Sequence, residues 1–262
     1  MASLTDKTVA SVYKDLLHIS NNGNGIGATQ IHTVEDGNGG DSSLQIGKRG
    51  TIIKPIVDTI STFIVQDKDG NSILTARSSD DQVLAGSSQT FVNSQYLRFF
   101  GHDIDVDSGT HFGVPIVGFY TSGSAEVPNT ELTFGTGSEP GEPTMTGVAD
   151  DVIHYAHYVD TNITVDAVNV LFSANGSGSD TLTFHLISLD PGASTTIDEL
   201  TNVTVIADDS GQASSGHNQF YRVPMTVQSA NVDAGKYLFL TVEGNGTNAD
   251  YTINAQVRYH FR

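Results

Sequence analysis

Thr181-Leu182-Thr183-Phe184-His185-Leu186-Ile187-Ser188-Leu189 sets Leu182, Phe184 and Leu186 on one parity and Thr183 and His185 on the other. A period of two buries one face of a strand and wets the other. The same period runs through residues 162–172, 236–242 and 250–261. Turn chemistry separates these runs: Asn175-Gly176-Ser177-Gly178, Asp190-Pro191-Gly192, Asp208-Asp209-Ser210-Gly211 and Gly244-Asn245-Gly246. Short strands with turns between them and no helical pattern predict an antiparallel β-sandwich of the jelly-roll kind. The chain as a whole is expected to be mainly β: an N-terminal arm with a short helix, a small β-hairpin region, and a C-terminal antiparallel sandwich.

Outward from the sandwich, the pattern changes. Residues 5–19 carry Val9, Val12, Tyr13, Leu16 and Leu17 at three- and four-residue spacing, the apolar stripe of an amphipathic helix. Ser20-Asn21-Asn22-Gly23-Asn24-Gly25 ends it. A helix of about four turns cannot hide such a stripe by itself and is marginal alone in water. These five residues are therefore the candidate anchoring surface for a partner, unless the helix packs back on its own chain. Asp36-Gly37-Asn38-Gly39-Gly40-Asp41 reads as a hairpin tip between residues 29–34 and 42–46. Phe63 to Ala76 reads as strand, tight turn, strand. Its Asp67-x-Asp69-Gly70-Asn71 turn imitates a calcium loop, but Ser78 stands where an EF-hand needs glutamate. Residues 114–147 are rich in Pro, Gly, Ser and Thr and read as a connection. The expected division is an arm at 1–50, a β-rich shoulder with its connection at 51–144, and the sandwich at 145–262.

The 262 residues hold 12 Lys+Arg against 30 Asp+Glu, a formal net charge of −18. So acidic a chain repels phosphate backbones and anionic membranes, so neither nucleic acid nor membrane is an expected partner. The lack of cysteine excludes disulfides and thiolate chemistry. No apolar run reaches the roughly 18 residues of a membrane span. Met1-Ala2-Ser3-Leu4-Thr5-Asp6-Lys7 lacks the features of a secretory signal, so synthesis and assembly in a cytoplasm are expected.

Catalytic motifs are sparse. Gly176-Ser177-Gly178-Ser179 is not a nucleophile elbow, and no phosphate-binding glycine fingerprint stands in a strand–helix context. His154 and His157, three apart, fall on opposite faces of a strand and cannot share a metal unless the backbone turns between them. His185 falls on the polar parity of its strand, at a polar face or a subunit seam. Asn162, Asn175, Asn202 and Asn245 head formal glycosylation sequons that read better as turn and strand residues. The chain is not expected to be an enzyme, and no cofactor is implied apart from a calcium ion. Alternation sends Asp103, Asp105 and Asp107 to one face, where three carboxylates repel unless a cation or water separates them. They are the candidate metal residues, and a carbohydrate- or calcium-binding adhesion module is the alternative function.

Residues 12–26 (VYKDLLHISNNGNGI), then Thr33-Val34-Glu35-Asp36-Gly37 and Ser42-Ser43-Leu44-Gln45-Ile46, resemble the N-terminal arm of virion structural proteins of tailed bacteriophages, marine types included. Residues 63–74 look like the hairpin that follows that arm, and residues 253–262 are similar to the last strand of the family's C-terminal sandwich. The resemblance implies a non-catalytic, usually trimeric, surface-exposed virion protein: a capsid decoration or head fibre, or a short tail fibre. The chain lacks the heptads or β-helix repeats of a long fibre, which favours a compact projection. The partners implied are other virion proteins (capsid or tail adaptor), two further copies of the chain, and a host-surface glycan. The final strand, residues 251–262, is expected near the subunit contact of the trimer. Ile253, Val257, Tyr259 and Phe261 share one apolar face with Tyr251, and an uncovered terminal strand would fray.

Overall fold

A computed structural model describes residues 17–19, 21, 26, 29–86, 90–106, 108–116, 132–145, 149–174, 180–191, 200–215, 219–246 and 249–262. They form two compact units, Met1–Val92 and Asn93–Arg262. Secondary structure among the described residues is nearly all β, with one 3-10 turn at Ala149–His154.

The first unit holds two four-stranded antiparallel meanders. One is built of β1 (His18–Ile19), β2 (His32–Glu35), β3 (Asp41–Gly47) and β4 (Gly50–Ile53), in that order. The other is β5 (Phe63–Gln66), β6 (Ser72–Arg77), β7 (Gln82–Ala85) and β8 (Thr90–Phe91). Aspartates close two of the turns. Asp36 accepts the amides of Asn38 and Gly40 at 2.8 Å, and Asp67 accepts those of Asp69 and Asn71 at 2.9 Å. Such side-chain-to-backbone bonds mimic a further turn of chain. The Gly40 and Asn38 amides hold the Asp36 carboxyl below its usual range, and the Asn71 side-chain amide, then its backbone amide, does the same for Asp67. Asp67 therefore spends its oxygens on its own hairpin. The helix expected over residues 5–19 does not reach its expected end: His18 and Ile19 pair with Glu35 and Val34 as an edge strand, where the sheet satisfies the backbone groups a last helical turn would leave open. Val9, Val12, Tyr13 and Leu16 lie outside the described residues.

The second unit is a jelly roll. Its principal strands are β9 (Ser94–Val106), β10 (Thr110–Val114), β14 (Ile163–Ala174), β15 (Thr181–Asp190), β16 (Thr201–Asp208), β18 (Tyr221–Val227), β20 (Tyr237–Gly244) and β21 (Ala249–Phe261). Short strands complete the sheets: β11 (Leu132–Thr136) beside β10, β12 (Thr144–Met145) beside β11, β13 (His157–Tyr158) on β20, β17 (Gln212–Ala213) on β15 and β19 (Asn231–Val232) on β14. One layer runs β9-β21-β14-β18 and the other β10-β20-β15-β16. Counted among the eight, these orders are first-eighth-third-sixth and second-seventh-fourth-fifth, the interleaving of two Greek keys. The layers join where Ala207 and Asp208 of β16 pair with Val227 and Thr226 of β18, so 13 strands form one curled sheet.

Three expectations change here. The sandwich begins at Asn93, not at 145, because β9 and β10 supply an edge of each layer, and those edges rest on β21 and β20. Residues 132–136 and 144–145 of the supposed open connection are built into the sheet, with Leu132 and Phe134 buried by alternation. β21 is no fraying edge: it runs between β9 and β14, and Tyr251, Ile253, Ala255 and Val257 are fully buried in the chain's own core. No side-chain surface is left on them for a neighbouring subunit. Tyr259 and Phe261 pack against the same core at its margin.

The core between the layers gathers Phe99, Val114, Val170, Phe172, Phe184, Leu186, Leu240 and Ile253 among others. β15, however, is buried on both faces from Phe184 to Leu189. Ile187 and Leu189 point away from the first core into a second one with Leu132, Phe134, Leu200 and Phe239. Gly113 makes room for this layer: a Cβ there would stand 3.0 Å from the Tyr155 ring and 3.3 Å from Phe134.

Candidate functional site

Of the three aspartates of the acidic run on β9, only the Asp103 side chain is among the described residues. The register of β9 on β21 shifts between the Tyr251–Ile104 and Ile253–Gly101 pairs, and Asp103 takes φ +52° inside that bulge. An extra residue in one strand turns its neighbours over, so Leu97, Phe99 and Gly101 point inward before the bulge and Ile104 and Val106 after it. Asp103 is exposed with its Oδ2 3.4 Å from His102 Nε2, and His102 Nδ1 lies 2.7 Å from the Thr252 hydroxyl. Asp105 faces Asp250 in the ladder; its side chain, like all of Asp107, lies outside the described residues. Among the described residues no three His, Asp or Glu side chains converge as metal ligands would.

A different polar cluster sits on the outer face of the second layer. His111 of β10 is 0% exposed and His185 of β15 is 3% exposed, so His185 lies beneath the second apolar layer and not on a polar surface. The rings meet edge to face with centroids 5.1 Å apart. His111 Nε2 donates to the Gly137 carbonyl at 3.1 Å and lies 3.9 Å from Glu243 Oε2. A carbonyl only accepts, so the His111 proton sits on Nε2 and Nδ1 is a bare acceptor; Nδ1 of each ring is buried without a partner. Burial holds the His111 ring below its usual range, against the pull of the Gly137 carbonyl and Glu243. Burial, then the neighbouring His111, pushes His185 down to about 4, with Asp208 opposing. Beside this pair, a shallow cleft of about 580 Å³ opens between Glu139-Pro140 and β16, lined also by Val203, Val205, Asp208 and Gln228. Its walls hold no nucleophile paired with a base.

The outer face of the first layer differs from the rest of this unit. It presents Tyr96 and Arg98 from β9, Asn254, Gln256 and Arg258 from β21, Asn169 and Leu171 from β14, and Arg222 from β18. Arg98 stands opposite Gln256, and Arg258 opposite Tyr96. Arg222 donates to Asn169 Oδ1 at 2.9 Å. Asp166, at a bulge in β14, is tucked beneath the face, 2.9 Å from His260 and 3.9 Å from Arg258.

The first unit shows the opposite of a closed core. Val34 and Leu84 are its only buried apolar side chains among the described residues, whereas Leu17, Ile56, Val57, Ile60 and Ile73 are more than half exposed. All four residues of β5, Phe63-Ile64-Val65-Gln66, are exposed. Of the anchoring candidates, Leu17 is described, 72% exposed and just ahead of β1. The two units also divide the charge unevenly. Residues 1–92 carry 10 Asp+Glu and 7 Lys+Arg, net −3, and residues 93–262 carry 20 and 5, net −15. The β5–β6 hairpin was readable in the sequence; that its apolar side chains stay exposed among the described residues was not.

No protein-family model matches the chain, and no curated protein matches it. A solved structure of infectious bursal disease virus, Gx strain, aligns with 83% of this chain at 9% identity and a TM-score of 0.25. The chain covers 42% of that structure's length.

Proposed function

We propose that the chain is a non-enzymatic structural protein of a tailed-bacteriophage virion, a surface projection held by its N-terminal arm. The capsid (as a decoration protein or head fibre) and the tail (as a short fibre) are the two locations this class allows, and host-surface contact is the task it implies. One observation carries the reading beyond the sequence resemblance. The first unit exposes aliphatic side chains over both meanders, while the second has a complete core of its own. Apolar surface on that scale marks a site of assembly. A net charge of −3 opposes association there far less than the −15 of the sandwich. The sandwich is the solvated, outward part in this reading, and three copies of the first unit bury one another's apolar surfaces.

Mass spectrometry of purified particles, with copy counting, tests it. The full chain should be present in a fixed ratio to the major capsid protein, and a chain cut to residues 93–262 should fold and fail to incorporate. Absence of the chain from particles, or normal incorporation of the shortened one, would overturn the proposal.

A further inference from the structure

We infer that the outer face of the β9-β21-β14-β18 layer binds an acidic polysaccharide through Arg98, Arg222 and Arg258. The inference rests on the reading of the sandwich as the outward part of a surface projection. Three of the five basic residues of a unit with net charge −15 stand on this one face. The one carboxylate among them, Asp166, is largely buried and turned to His260, while Asp103, in the β9 bulge, and Asp250, beyond it, lie at the far end of the layer. Salt limits the reach of the remaining acids to roughly 8 Å at physiological ionic strength, so the face acts on a ligand as locally cationic.

The groups between the arginines narrow the ligand. Asn169, Asn254 and Gln256 carry amides that both donate and accept, the pairing a sugar hydroxyl needs. Arginine meets a carboxylate or sulfate through two parallel N–H bonds. Tyr96 is 57% exposed and Leu171, in the middle of a central strand, is 42% exposed. These are flat apolar surfaces on which a sugar ring can lie. Size decides between occupants. Four strands about 4.8 Å apart, over five residues at about 3.3 Å, span on the order of 250 Å². A stable protein–protein contact needs roughly 800 Å² per partner. A stretch of acidic sugar chain fits the face, and a second copy of this protein would hang over its edges.

The test uses the full chain at 0.15 M salt on immobilised alginate, dextran sulfate and uncharged dextran. Alginate and dextran sulfate should retain the protein and dextran should not. The Arg98→Gln/Arg222→Gln double variant should bind at least tenfold more weakly. The Lys48→Gln/Arg49→Gln variant, which loses the same charge in the other unit, should bind like the parent. The Arg98→Gln/Arg222→Gln chain should still enter particles at the parental copy number, which separates failure of this inference from failure of the assembly reading. Four results would overturn it: no retention on either acidic polymer, equal weakening in both double variants, equally strong retention on single-stranded DNA, or loss of chain–chain association in the Arg98/Arg222 variant.

Discussion

His185 is accommodated between His111 and Asp208 only while its ring is uncharged, since a cation there would lose water and face a second imidazole. An unfolded histidine titrates near 6.5, and the folded His185 near 4. At pH 7 both states are neutral at this ring and it contributes nothing to pH dependence. Below about 6.5 the unfolded chain takes up a proton that the folded chain refuses, so stability is lost between about 6.5 and 4. The thermal midpoint of residues 93–262 should fall across that window, and His185→Gln should flatten the fall; a pH-independent midpoint in the parent would contradict it. Gly113 makes a second prediction at this scale. Valine there would press on Tyr155 and Phe134 and should cost about 1–3 kcal/mol, the usual range for overpacking. Denaturant unfolding measures the loss.

Strand β21 holds β9 and β14 side by side, with Ser94 and Ile163 reaching His260 and Phe261 respectively. Ile253→Ala opens a cavity at a fully buried position and should cost about 2–5 kcal/mol. Deleting residues 251–262 should abolish cooperative unfolding of the sandwich altogether, where a purely peripheral strand would leave a folded monomer. The period of two in residues 162–189 and 250–261 was enough to read the sandwich and most inward-facing side chains. It could not place β9 and β10, because pairings between strands more than a hundred residues apart leave no local mark. Nor could it show that β15 is covered twice: alternation marks Ile187 and Leu189 as outward, and that side becomes apolar only where Leu132, Phe134, Leu200 and Phe239 gather over it. Of the residues singled out for function, Asp103 sits in a bulge that alternation does not foresee, while Ile104 and Val106 beyond it face inward as alternation expects. The arginine face was hidden in a chain-wide charge of −18.

On the scale of the molecule, the described residues of one unit expose apolar surface and bury only Val34 and Leu84, and the other unit has a core under an acidic surface. Cutting after Val92 should therefore release a sandwich that stays folded and monomeric at high concentration, since a net charge of −15 keeps copies apart. The full chain, by the assembly proposed above, should scatter light as about three chains. Full-length protein that stays monomeric across the micromolar range with its apolar meanders intact would contradict this.

Ser94 waits for His260, 166 positions further on, before the first strand of the sandwich finds its neighbour. A ribosome adding roughly 5–20 residues per second needs on the order of ten to thirty seconds to cover that distance. Through that interval the nascent chain carries Leu97 and Phe99, and from its middle on Val168 and Val170, with no β21 beside them. Pairings so distant also make intrinsically slow folding, in milliseconds to seconds for β-sandwiches. The yield of native protein therefore depends on what shields β9 and β14 during synthesis. Overproduction that crowds unfinished chains together should favour exchange of β9 between copies, and starting fewer chains at a time should suppress it.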